Sequence, residues 1–135
     1  MSKPFSLSKH ERLKSKKQID ALFLHGEAFF IFPFKVKYHL DMSAELSGVH
    51  FGISVPKRIF KKATDRNRLK RLSREAYRLN KTALKEVLTQ KHQALQVMFM
   101  YSHPALLTYA EVEKGMLLCL EKLQKRINAT AKADQ

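Results

Sequence analysis

One cysteine, Cys119, occurs in 135 residues. A lone thiol cannot form an intrachain disulfide and cannot build a zinc knuckle, and it suits a reducing compartment. The four glycines are scattered singly, so no glycine-rich loop is available to cradle phosphates. No apolar run approaches the ~20 residues that a membrane-spanning helix needs. The first ten residues, Met1 to His10, hold no apolar signal-peptide stretch. These absences give the expectation of a cytoplasmic protein with no membrane partner. Acids are scarce as well, with 12 Asp plus Glu against 26 Lys plus Arg.

That imbalance leaves a formal charge of +14 and a pI near 10.1. Hydrophobic residues at 44% and charged residues at 28% are the balance of a folded globule. A compact body with such an excess of one sign repels itself, so the charge points to a polyanionic partner rather than to the fold. The length fits one domain over residues 1–135, with residues 1–12 and 128–135 expected to be flexible because they are polar and lack periodicity.

Periodicity supplies the elements. Ile19, Leu22 and Phe23 at helical spacing predict a short helix over residues 15–25, stopped by Gly26. Phe34, Val36, Tyr38 and Leu40 alternate with Lys35, Lys37 and His39. Val49, Phe51, Ile53 and Val55 alternate with His50, Gly52 and Ser54. Two strands follow, with residues 41–48 as a hairpin loop between them and Pro56 ending the second. A long helix is expected over residues 64–80 and a further helical piece around residues 84–89. Residues 95–101 read as a buried strand, apolar on both faces apart from Gln96. The last helix opens on Thr108 and Glu111, spaced as a capping box, and buries Val112, Met116, Cys119, Leu120, Leu123 and Ile127. The order is helix, strand, strand, helix, strand, helix, which implies an α+β sandwich: a small mixed sheet with helices packed on it.

The basic helix carries the strongest signal. At about 100° per residue, Leu69, Leu72, Ala76 and Leu79 share one stripe. Arg66, Lys70, Arg71, Arg74, Arg78 and Lys81 then occupy an arc of roughly 140° opposite it, with Asn67 among them and Arg68 nearer the stripe edge. Asp65 stands where it can cap the helix and favour its macrodipole. A merely solvated face usually interleaves acids for i,i+4 pairing, and here Glu75 is the only acid after Asp65. Neutralisation by phosphates accounts for the pattern better, and arginine adds bidentate phosphate contacts and base stacking. Lys57, Arg58, Lys61 and Lys62 extend the positive surface upstream.

If residues 34–40 and 49–55 pair antiparallel, Lys35, Lys37, His50, Gly52 and Ser54 form a second patch. Gly52 would let a strand or a ligand backbone approach closely. Phe23 is either a stacking plate bordering that patch or part of the core, and periodicity alone favours the core. The histidines show no metal-ligand spacing. His39 and His50 could meet across the hairpin, but no oriented acid–base pair can be named, so no catalytic residue and no metal ligand is assigned. Cys119, on an apolar helix stripe, reads as core.

The stretch Ala63-Thr64-Asp65-Arg66-Asn67-Arg68-Leu69-Lys70-Arg71-Leu72-Ser73-Arg74-Glu75-Ala76-Tyr77-Arg78 resembles the Arg-Asn-Arg helix of the protein subunit of bacterial ribonuclease P. The resemblance runs upstream through Phe51-Gly52-Ile53-Ser54-Val55-Pro56-Lys57-Arg58 to Gly26, Phe23 and Arg12-Leu13-Lys14, and forward through Leu107-Thr108-Tyr109-Ala110-Glu111. Ile19 stands where that family often has an aromatic, Lys37 where some members have Tyr, and Arg58 where they have a second Lys; the stretch 59–62 is one residue longer than usual.

The resemblance implies a ribosomal protein S5 domain 2-like sandwich with a left-handed β-α-β crossover. It implies an endoribonuclease that removes the 5′ leader of precursor tRNA, with hydrolysis carried out by the RNA subunit and its magnesium. No cofactor would be bound by the protein alone, and no obligate protein partner is implied. Carried over by position, Arg66, Asn67, Arg68, Lys70, Arg71, Arg74 and Arg78 would bind ribonuclease P RNA. Phe23, Lys35, Lys37, Ser54, Lys57 and Arg58 would line the leader cleft. Two other readings of the residues stay open: a ribosomal-protein-like structural or RNA-chaperone module, and a duplex-DNA binder, although strands rather than a helix precede the basic helix.

Overall fold

The computed structural model describes residues 16–41 and 48–133. In chain order the elements are α1 (Lys16–His25), β1 (Glu27–Ile31), β2 (Phe34–Asp41), β3 (Gly48–Ser54), α2 (Ala63–Asn80), α3 (Thr82–Lys91), β4 (Ala94–Tyr101) and α4 (Tyr109–Ala133). The sheet order is β1-β2-β4-β3. β2 pairs antiparallel with both β1 and β4, whereas β3 and β4 run parallel, joined by the α2–α3 crossover.

The expected hairpin between residues 34–40 and 49–55 does not form. β4 lies between the two strands, and Asp41 and Gly48 both sit opposite Ala94 from its two sides. The reason lies in the composition of β4. Leu95, Val97, Phe99 and Tyr101 face the main core, while Met98 is buried and Met100 partly buried on the other face. A strand apolar on both faces loses most at an edge and gains most when covered and paired on both sides. Alternation reports which face of a strand is buried, not which neighbour it pairs with.

β1 was not expected. Glu27, Ala28, Phe29, Phe30 and Ile31 show no clean alternation, yet only Phe29 of the five is buried, and the strand turns back through Phe32 and Pro33 onto β2. Gly26 is required at its start. A Cβ there would collide with the Leu22 carbonyl oxygen and stand 2.8 Å from that of Tyr38.

α2 and α4 pack against each other over the inner sheet face, with α3 beside β3. Phe51 stacks on Tyr77 at 4.1 Å between ring centroids, locking β3 to α2. α1 covers the opposite face, where Leu22 and Ile19 pack on Met98 and Met100. The capping box forms as expected: the Thr108 N–H donates to Glu111 Oε1 at 3.1 Å, and the Glu111 N–H donates to Thr108 Oγ1 at 3.3 Å. α4 then continues to Ala133, through residues 128–133 where the sequence shows no periodicity; Ala129, Ala131 and Ala133 supply intrinsic helix propensity there. The expectation for residues 1–12, like the resemblance at Arg12-Leu13-Lys14, lies outside the described residues.

Candidate nucleic-acid interface

The basic helix begins at Ala63 with Lys62 in extended backbone geometry as its N-cap, and no side chain caps it. Asp65 is therefore the third helical residue. It favours the positive end of the macrodipole but does not serve as the expected cap.

The buried face also differs from the expected one. Leu69, Ser73, Ala76 and Tyr77 are buried, Leu72 packs at the margin, and Leu79 is 40% exposed. The helix is rotated by roughly 60° from the orientation that the leucines suggest. Stacking of Tyr77 on Phe51 draws that side inward, and the Ser73 hydroxyl satisfies itself by donating to the Leu69 carbonyl at 2.7 Å. Leucine spacing could not show this, because a tyrosine and a serine carry the new stripe.

The rotation sorts the cations. Asn67, Arg68, Arg71 and Arg74 are exposed, and Lys70 and Arg78 are half-buried. Arg68, which the sequence placed near the stripe edge, joins the solvent face. Arg66 turns toward the protein, its guanidinium donating to the Phe60 carbonyl at 2.7 Å and to that of Lys61 at 2.9 Å. Lys81, expected within the cationic arc, is 1% exposed at the α2–α3 junction and belongs to no such surface. Arg78 is bridged to Glu75 at 2.6 Å, so the one acid in this stretch after Asp65 is engaged on the helix itself. That hydrogen bond also holds the Arg78 guanidinium above its ordinary range.

Asn67, Arg71, Arg74 and Arg78 thus follow one another at i, i+4, i+7 and i+11, a stripe about 16 Å long, with Arg68 beside it. At its foot, Lys57 and Arg58 are exposed on a turn closed by the Ile59 and Phe60 N–H groups, both donating to the Pro56 carbonyl at 3.2 and 3.1 Å. Buried Phe60 and the two carbonyl contacts of Arg66 fasten that turn to the helix.

On the outer sheet face the register builds cross-strand rows. One runs Phe30–Lys35–Met100–Ser54, the next Ala28–Lys37–Met98–Gly52, and the third His39–Gln96–His50. Lys35, Lys37, His50, Gly52 and Ser54 do share a face, but β4 separates the β2 members from the β3 members by two strand spacings, about 10 Å. His39 and His50 flank Gln96 and do not face each other as the hairpin would require. Phe23 is not core: Leu22 fills the interior, and Phe23 is 44% exposed with the Lys37 Nζ 5.6 Å from its ring centroid. A side chain that sequence reasoning missed lies on this face too. Phe30 is 59% exposed beside Lys35, and only recognition of β1 could have placed it there.

Elsewhere, burial pushes the Cys119 thiol up to about 12, so it is a core group and not a nucleophile. Among the described residues, no three His, Cys, Asp or Glu side chains are grouped as metal ligands would be, and no helix is long and apolar enough to cross a membrane.

Residues 7–124 match the family model described as Ribonuclease P. The ribonuclease P protein component of Porphyromonas gingivalis is 36% identical over 127 residues, spanning 94% of this chain and 93% of that protein. The protein of the same description from Chlorobium phaeobacteroides is 39% identical over 82 residues, 58% of this chain and 56% of its own length. Among solved structures, the RNase P protein of Staphylococcus aureus superposes with a TM-score of 0.64 at 23% identity, covering 85% of this chain and 95% of that one. That of Thermotoga maritima superposes with a TM-score of 0.65 at 23% identity, covering 83% and 96%. At such identity the structures show a shared fold.

Proposed function

The chain belongs to the ribonuclease P protein family, and we propose that it serves that ribonucleoprotein by holding RNA on two separate surfaces. It is a protein component of ribonuclease P, partnered with ribonuclease P RNA in tRNA 5′ processing. The α2 stripe is the surface for the RNA subunit, and the outer sheet face with α1 takes the single-stranded 5′ leader of precursor tRNA. The observation that carries the first assignment is the solvent-facing set Asn67, Arg68, Arg71 and Arg74, on a helix whose one acid after Asp65, Glu75, is already paired with Arg78.

Phosphates neutralise such a face, and each contact releases condensed counterions. On the sheet, Lys35 and Lys37 attract a leader backbone while Phe23 offers a ring to an unstacked base. Lys57 and Arg58 lie between the two surfaces along the chain and extend the cationic track. The protein's part in the reaction is proximity: a leader held at a fixed place presents its junction with the tRNA to the RNA subunit. Magnesium belongs with the RNA subunit, whose phosphate oxygens are the hard ligands that ion prefers. A cytoplasmic location and assembly without an obligate protein partner complete the proposal.

The test is binding to ribonuclease P RNA across a salt series. Arg68→Ala, Arg71→Ala and Arg74→Ala combined should weaken binding and flatten the log–log salt slope by about two to three, at 0.7–0.9 per lost phosphate contact. An unchanged slope would overturn the assignment.

A further inference from the structure

Of the large apolar side chains left in solvent, Phe30 stands in the most informative place. β1 is the edge strand, Phe29 points into the core, and strand alternation therefore sends Phe30 to the outer face, where it is 59% exposed. Directly across the ladder from it is Lys35, also exposed. Two residues further along β2 is Lys37. Its β1 partner is the small Ala28, and its ring neighbour is Phe23 of α1. A lysine with an aromatic neighbour thus occurs at two successive outward positions of one strand, about 6.8 Å apart. At Lys37 the ring comes from the helix; at Lys35 it comes from the edge strand. Among the described residues no strand lies beyond β1, so no neighbouring strand screens Phe30.

We infer that Phe30 is a base-stacking residue that extends the leader-binding surface by one nucleotide, with Lys35 taking the adjoining phosphate as Lys37 does beside Phe23. The inference rests on the outer face being the leader surface. A phosphodiester backbone following β2 meets one cation at each outward position, and its bases then fall on a ring at each step. Stacking tolerates any base, because every base has a π face, so Phe30 adds affinity and leader reach without a sequence rule. An isoleucine or leucine would suffice if the position merely needed apolar cover. An aromatic ring at an exposed edge position next to a lysine is instead what an unpaired base uses.

The test uses holoenzyme reconstituted with its RNA subunit, and precursor tRNAs whose leaders lengthen one nucleotide at a time. Phe30→Ala and Phe30→Leu should each weaken binding of long-leader precursor about five- to tenfold. Binding of mature tRNA and of the RNA subunit should be unchanged, and Phe30→Tyr should restore wild-type affinity. The loss should appear only once the leader reaches a particular length. An abasic nucleotide at that position should cost the wild type about as much as Phe30→Ala does, and cost the variant nothing more. Retained affinity in Phe30→Leu, or a loss independent of leader length, overturns the inference. Failure of the underlying reading looks different: Lys35→Ala with Lys37→Ala would then leave the preference for leader-bearing over mature tRNA intact. If the lysine variants lose that preference and Phe30→Ala does not, the surface stands and Phe30 is not part of it.

Discussion

The α2 stripe and the outer sheet face are both cationic, but they are built on opposite plans. On α2 the exposed positions between Asp65 and Ala76 are Asn67, Arg68, Arg71 and Arg74, all polar or charged, and the supporting stripe of Leu69, Ser73, Ala76 and Tyr77 is sunk against the core. On the sheet, Lys35 and Lys37 are interleaved with Phe23, Phe30, Met98 and Met100. A rod dominated by guanidinium groups, with no ring among them, reads phosphate positions and suits the backbone of a folded RNA whose bases are already stacked. A surface alternating ammonium groups with rings suits bases that have no partner of their own. The contrast ties each surface to a physical state of its RNA, and it predicts that the two can be disabled separately.

The largest effect is expected from a change that removes one surface by misplacing its support. Gly26→Val would drive two methyl groups into the space between the Leu22 and Tyr38 carbonyls, so α1 must lift from the sheet. Thermal unfolding should show a loss of about 3 kcal/mol, in the range for steric overpacking. In molecules that still fold, leader discrimination should vanish before RNA-subunit binding does. If both fell together, the surfaces would not be independent.

Next in size, Lys35→Ala with Lys37→Ala should erase most of the preference for leader-bearing tRNA while leaving RNA-subunit affinity within about twofold, since an exposed and a half-buried surface cation contribute little to folding. Equal losses in both assays would dissolve the distinction between the surfaces.

Arg66→Ala sharpens the comparison from another side, because this arginine bonds to its own protein. Losing its contacts to the Phe60 and Lys61 carbonyls should cost about 1–2 kcal/mol of stability and loosen the turn that carries Lys57 and Arg58. Both bonds leave the same guanidinium nitrogen, so Arg66→Lys, whose ammonium can also donate twice, should recover part of the loss. Full stability in Arg66→Ala would return this residue to the RNA-facing set.

The smallest effect is in alkaline titration. Tyr38, Tyr101 and Tyr109 are each raised to about 12, chiefly by burial, with Glu27 and Glu113 adding to the shift at Tyr38 and Tyr109. Folding thus favours the protonated phenol. This stabilisation is fully present below pH 10, the ordinary phenol value, and is lost as the pH rises through 10 to about 12. Tyrosinate absorbance followed with unfolding should show late ionisation coupled to loss of structure; free ionisation near pH 10 would contradict it.

Much of this was legible in the sequence. Apolar alternation located β2 and β3, a run apolar on both faces located β4, the capping box fixed the start of α4, and the density of Arg and Lys singled out α2. What escaped has physical causes. The partner of each strand is decided by which one has two apolar faces to hide, a competition that no single segment displays. The rotation of α2 came from Tyr77 stacking on Phe51, a contact between residues 26 positions apart. Phe23 and Leu22 are adjacent at helical spacing, and only the position of Met98 decided which went inside. β1 escaped because only one of its five side chains is buried, so it shows no alternation to find.

The place of β4 also sets a timetable. A growing chain that has reached Asn80 already holds every arginine of the basic helix, yet the strand at the centre of the proposed leader surface has still to be made. Lys35 and Ser54 come into one plane only when residues 94–101 slide between strands completed at Asp41 and Ser54, a late and long-range closure of the slow kind. RNA that meets the unfinished protein can find its charge, but not the ruled surface on which a single strand would lie.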